Sequence, residues 1–148
     1  MASALSADDL NALAETLRDA AERLAAASEP RPPLNAAGYA RLILAARRRI
    51  SGFIDADLFA DPARDILLDL FVAAEEGMRI SISSCCIAAA VPPTTALRWI
   101  RMLKNRGLVL ESVDPADGRR KWLSLSADAH KAVRDYVLAA SGMFAERG

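Results

Sequence analysis

Aromatic residues make up only 5% of the 148-residue sequence, and it has two cysteines and a single histidine. With 53% hydrophobic residues beside so few rings, the core must be built from Ala, Leu, Ile and Val, which favours a helix-dominated single-domain fold. Cys85 and Cys86 are sequence neighbours, so they provide neither a disulfide framework nor the C-x-x-C spacing of a metal site, and a reducing compartment fits. No run of about 18 uncharged apolar residues is present to span a bilayer. The start, Met1-Ala-Ser-Ala-Leu5, lacks the basic-then-apolar order of an export signal, so a soluble, cytoplasmic protein is expected, with no membrane partner. Catalytic equipment is equally thin: no nucleophile motif and no phosphate-cradling glycine loop accompany the lone His130, which falls on the polar side of a terminal helix as a solvated or capping histidine. The expectation is no enzyme, no metal and no cofactor.

Charge of one sign is not in excess, since nineteen basic residues cancel nineteen acidic ones. That balance argues against a general nucleic-acid sponge, but the distribution decides, and the charges are segregated. Residues 31–50 carry five Arg and no acid, and residues 91–125 carry seven basic residues against three acids; the stretches 1–30 and 51–90 between and before them are acidic. Two positive patches are thus set in an acidic scaffold.

The apolar spacing predicts a first helix from Ser6, with Ser6 as cap, Leu5 stapled on Leu10, and Leu10, Leu13, Leu17, Ala21 and Leu24 forming a narrow seam. Arg18/Glu22 and Asp19/Arg23 are spaced to pair. The seam fits either the helix's own domain or a second subunit. Glu29-Pro-Arg-Pro-Pro33 reads as a stiff connector, which divides the chain into 1–34, an N-terminal helix and connector contributing a dimer contact, and 35–148. Asn35 caps a second helix with Tyr39, Leu42, Ile43, Ala46 and Ile50 on one face and Arg41, Arg47, Arg48 and Arg49 off it, ended by Ser51-Gly52. Asp61-Pro62 opens a third with Ile66, Leu67, Leu70, Phe71 and Ala74 inward and Gly77 as terminator. Ile80 makes a strand stub, Ser81 caps a short helix over 83–90, and Val91-Pro92-Pro93 turns into the next. Ser126 caps a last helix, 127–146, carrying Val133, Tyr136, Val137 and Ala140.

The stretch from Val91 to Ser126 carries the function. In a helix over about 93–106, Ala96, Trp99, Ile100 and Leu103 form one buried stripe, leaving Thr94, Thr95, Leu97, Arg98, Arg101, Met102 and Asn105 opposite. Thr94 and Thr95 hydroxyls at a helix start suit phosphate oxygens or base edges, and the planar fork of Arg98 suits a guanine edge. Two β runs over about 108–125, joined by Asp114-Pro-Ala-Asp-Gly118, then form a hairpin with Arg119, Arg120 and Lys121 just past its tip. Such cations fit a narrow minor groove, with Asp117 placed to hold the Arg119 guanidinium in a fixed direction. A cationic helix followed at once by a cationic hairpin has the shape of a winged helix-turn-helix.

Ser81 to Ser126 resembles the DNA-binding lobe of the MarR family of bacterial winged-helix regulators. Cys85-Cys86, Val91 and Thr94-Thr95 stand at the family's leucine-alanine, turn and serine-threonine places. Leu103, Gly107, Leu108 and Val109 match its exit into the wing, and Asp114, Asp117, Arg119, Leu125 and Ser126 match its aspartate-x-arginine wing and the start of the next helix. The resemblance implies a mainly α fold with a small β-wing and N- and C-terminal dimerisation helices. It further implies a homodimer acting on a pseudo-palindromic duplex site, as a sequence-specific transcriptional regulator and most often a repressor.

Leu97, Arg101 and Met102 depart from the family pattern, as does Ile87. With Leu97 and Met102, Ile87 could instead form a surface for a protein partner, so the alternative is a winged-helix module that holds another regulator. The resemblance also implies a small aromatic effector in a cleft drawing on Tyr39, Phe53, Phe59 and Arg47–Arg49. Cys85 and Cys86 sit at places the family fills with core residues, where thiols behave as small hydrophobes rather than redox sensors.

Overall fold

The computed structural model describes residues 7–28 and 34–145, and the chain divides into two units, Met1–Pro33 and Leu34–Gly148. Helix α1, Ala7–Ser28, is the described part of the first. Within that unit Leu10, Leu13, Leu17 and Leu24 stay more than half exposed along the predicted seam. Of the two expected ion pairs, Asp19–Arg23 forms at 3.7 Å and Arg18–Glu22 does not. The Ser6 cap, the Leu5 staple and the 29–33 connector lie outside the described residues.

The second unit is built around α3, Pro62–Glu75. Its start is the one expected: the Asp61 side chain accepts from the Arg64 amide and Pro62 occupies the first turn, where its missing N–H is no loss. Gly77 at φ +67°, with the Met78 amide donating to the Ala73 carbonyl at 2.8 Å, closes it in a Schellman turn. The one-sided stripe expected for α3 is a correction: Ile66, Leu68, Leu70, Phe71, Val72 and Ala73 are all buried, whereas Ala74 is exposed. Elements pack on α3 from most directions, so periodicity gives way to near-continuous burial.

Helix α2, Ala36–Arg49, is capped by Asn35, whose side chain accepts from the Gly38 amide at 2.8 Å. Its buried face is Ala36, Ala37, Ala40 and Leu44, with Tyr39 and Ile43 half-covered, whereas Leu42 is 54% exposed. The predicted face was therefore set too far round: the buried face is mostly alanine, whose small side chains allow α2 to approach α3 and the last helix closely. Arg47 corrects the reading in the same direction: it turns inward, and its Nε donates to Asp65 Oδ1 at 2.8 Å, Asp65 being the one buried charged residue among those described.

After β1 (Ile80–Ser81) come α4 (Ile82–Ala88), α5 (Pro93–Asn105), β2 (Val109–Val113), β3 (Lys121–Leu125) and α6 (Ala127–Ala145). The sheet is antiparallel in the order β1-β3-β2, with Ser81 opposite Trp122, Glu111 opposite Leu123 and Val113 opposite Lys121. Strand alternation sends Val109, Leu123 and Leu125 into the core and leaves Arg120 and Trp122 on the other face. Helix α6 starts at Ser126, whose hydroxyl accepts from the Ala129 amide at 3.2 Å, and buries Ala129 and Val137; Tyr136 is 44% exposed rather than inward. His130 is a further correction. It is half-buried, with its ring 5.0 Å from that of Phe71 and Nε2 2.9 Å from the Glu75 carboxylate, which Arg134 also contacts at 2.6 Å. A carboxylate on α3 draws the imidazole in from solvent. The architecture is mainly α with a small three-stranded sheet, a winged helix.

Candidate nucleic-acid interface

Ser81 fixes the entry to α4 by accepting from the Ser84 amide at 3.2 Å. The turn that follows is made by Ala90 at φ +53°, a non-glycine residue in the left-handed region, and by Val91-Pro92-Pro93, with proline at the start of α5. On α5 the buried stripe is Ala96, Ile100 and Leu103, with Trp99 half-covered. Opposite it, Thr94, Arg98, Arg101 and Asn105 are exposed and Thr95 is half-buried. Gly107 at φ +70° ends the helix, the Leu108 amide donating to the Leu103 carbonyl at 3.0 Å. That Schellman closure feeds the chain directly into β2.

The wing tip is held by its aspartates. Asp114 accepts from the Ala116 amide at 2.8 Å and from the Trp122 indole at 3.2 Å; the Ala116 N–H, and after it the indole, hold the carboxyl below the usual Asp range. Asp117 accepts at 3.0 Å from the Arg119 amide, so it fixes the backbone that carries Arg119 and not, as the sequence led us to expect, its guanidinium. Arg119, Arg120 and Lys121 are all exposed. They are not equivalent. Lys121 pairs with Glu111 at 2.8 Å, the Arg120 guanidinium lies over the Trp122 ring at 5.5 Å, and Arg119 makes no ion pair among the described residues.

Four residues that sequence reasoning did not assign complete this surface. Glu111 binds Lys104 of α5 at 2.5 Å as well as Lys121 of β3, tying the helix to the wing through one carboxylate. Hydrogen bonds from Lys104 first and Lys121 second lower its pKa. Arg79, just before β1, lies over the Trp122 ring at 5.9 Å, so one indole contacts two guanidiniums, within the range of cation–π attraction. Strand alternation in the sequence puts Arg120 and Trp122 on one face, but only the pairing of β1 with β3 brings Arg79 to them.

Two depressions meet at Ile82 and Ser83. One, of about 390 Å³, runs to Arg119, Arg120 and Lys121; the other, of about 740 Å³, is apolar and includes Cys86, Ile87, Val91 and Leu97. A cavity of about 340 Å³ adjoins the apolar depression at Ala90, Val91 and Pro92 and is lined further by Arg47, Arg48, Asp57, Phe59 and Asp65. Tyr39, Phe53 and Arg49, expected in an effector cleft, do not line it, and Phe53 is 86% exposed. Cys85 is fully enclosed, and burial, with smaller contributions from Asp69 and Cys86, pushes its thiol up to about 12; burial raises Cys86 too. Among the described residues no group of three His, Cys, Asp or Glu could hold a metal ion, and no helix is long and apolar enough to cross a membrane.

No family model and no curated protein matches the sequence. Solved structures do resemble it. A point mutant of MepR from S. aureus is 15% identical over 72% of this chain and 73% of its own, with a TM-score of 0.50. A MarR family transcriptional regulator from Silicibacter pomeroyi is 17% identical over 72% and 68%, with a TM-score of 0.49. A mutant of ZitR from Lactococcus lactis is 14% identical with a TM-score of 0.45, and the match spans 56% of each chain, little more than half the ZitR length. The likeness to MepR is one of fold: this chain has the winged helix-turn-helix architecture with flanking helices.

Proposed function

We propose that the protein is a MarR-type transcriptional regulator, a cytoplasmic repressor rather than an enzyme, that binds double-stranded DNA sequence-specifically as a homodimer. The observation that carries this reading is the exposed face of α5, where Thr94, Arg98, Arg101 and Asn105 stand opposite the buried stripe of Ala96, Ile100 and Leu103, beside a wing that presents Arg119 and Arg120. In a duplex complex α5 enters the major groove, Arg98 addresses a guanine edge, Thr94 and Thr95 contact phosphate or base edges at the helix start, and Arg101 lies along the groove. Arg119 enters the flanking minor groove, while Arg120 and Lys121 contact its phosphates. Two-fold symmetry sets the half-sites of a pseudo-palindrome about 34–36 Å apart.

Dimer formation draws on the exposed leucine seam of α1 and on α6, where Leu138 and Met143 stay exposed. The cavity between Arg47, Arg48 and Phe59 suits a small aromatic acid, whose carboxylate would meet the Arg48 guanidinium, Arg47 being held by Asp65, and whose ring would meet Phe59. It reaches Val91 and Pro92 at the start of the reading helix, which gives such an effector a route to DNA affinity.

Selection of genomic fragments on the purified protein, followed by footprinting, tests the reading. The expected result is a protected site with internal two-fold symmetry, lost in Arg98→Ala and Arg119→Ala variants that remain folded. Fragments recovered at random, or protection unchanged by both substitutions, would contradict it.

A further inference from the structure

The end of α4 and the first half of α5 expose apolar side chains that their own unit leaves uncovered. Ile87 is 81% exposed and Leu97 is 42% exposed, and both line the apolar groove with Cys86 and Val91 between them. Three observations identify the occupant. From Arg79 to Leu110 the sequence contains no acid, so no residue lining the groove itself is acidic, and Arg98 and Arg101, on the helix that carries Leu97, make no ion pair among the described residues. Leu97 lies on the helix face of Thr94, Arg98 and Arg101, at three- and four-residue steps. The groove also runs, through Ile82 and Ser83, into the cleft ending at Arg119 and Arg120.

An apolar protein surface seated here would have to lie among unpaired guanidiniums and desolvate them. A DNA duplex instead brings phosphates to those cations, and in its major groove it carries one apolar group, the C5-methyl of thymine. We infer that Leu97, flanked by Ile87, is a specificity-determining residue that reads thymine by its methyl group, complementing the polar reading by Arg98. Methyl recognition also explains why a leucine stays exposed on a face otherwise built of hydroxyls and guanidiniums. This inference rests on the DNA-binding function proposed above.

Replacing thymines of the bound site by uracil, one at a time, tests it, since the change removes the methyl and leaves base pairing intact. Burying one methyl is worth roughly a fourfold change in affinity. The wild-type protein is expected to lose about fourfold at one or two thymines in each half-site. Leu97→Ala should lose that sensitivity, Leu97→Met should keep it, and neither should alter the salt dependence of binding. Wild-type indifference to every uracil overturns the inference, as does Leu97→Ala retaining the full uracil penalty. A Leu97→Ala variant with undiminished DNA affinity and uracil response gives the groove to a protein partner instead. Failure of the wild type to bind any duplex is a separate result, and it defeats the proposed function itself.

Discussion

Asp65 shows how a single residue ties the regions of one unit together. Only 6% exposed, it would leave an uncompensated charge in the interior without Arg47, which donates to it at 2.8 Å from α2. Removing one partner of such a pair costs about 3 kcal/mol or more, so Arg47→Ala should lower the melting temperature markedly, and Asp65→Asn in the same background should recover part of the loss. A melt unchanged by Arg47→Ala would show that the pair is not holding α2 on α3. At this scale the sequence was a poor guide. It placed Arg47 on the solvent face because a guanidinium is polar, whereas burial followed a carboxylate eighteen residues further on. The same holds for His130, which Glu75 and Phe71 bring into the structure. Cys85 is the opposite case: it is buried as the sequence led us to expect, and its raised thiol makes oxidation by a mild disulfide reagent slow in the folded protein.

Between the residue and the whole molecule stands the link from α5 to the wing. Glu111 gathers Lys104 and Lys121 onto one carboxylate, and because both hydrogen bonds favour its ionised form, the folded-state pKa lies below the ordinary 4.5. A group depressed in this way contributes stability that is present above its unfolded pKa and is lost as pH falls through the folded one. Glu111→Gln should therefore be less stable than wild type near neutrality, with the difference shrinking on acidification below about pH 4.5. A difference independent of pH would mean that charge is not the basis of the brace.

Elements themselves were legible. Asn35, Asp61-Pro62, Ser81, Gly107 and Ser126 each mark a boundary within a residue or two of where the helices begin and end, because capping is local chemistry. Helix α5, whose stripe of Ala96, Ile100 and Leu103 packs on one side only, kept its periodicity. Helix α3 lost it, since neighbours cover it nearly all round. The cations of the interface could be read from composition, but Glu111, Trp122 and Arg79 could not, because their roles arise from strand register and from a pairing of β1 with β3 across some forty residues of chain.

For the whole molecule, the segregation of charge is the organising fact: an acid-free stretch carries α5, while the stretches 1–30 and 51–90 are acidic. The proposed homodimer adds the leucine seam of α1, exposed in its own unit. Leu13→Glu with Leu17→Glu should shift the protein toward monomer in sedimentation equilibrium and weaken binding to a two-half-site fragment more than to a single half-site. An unchanged oligomeric state would exclude α1 from the subunit contact.

The central claim is that α5 and the wing grip one duplex together, and the salt dependence of DNA affinity tests it most directly. Each phosphate neutralised adds about 0.9 to the slope of log affinity against log salt. The wild type is expected to show a steep slope, reduced by about one phosphate's worth in a variant lacking a wing cation that contacts the backbone, such as Arg120→Ala. A shallow slope that Arg98→Ala, Arg119→Ala and Arg120→Ala all leave unchanged would contradict it.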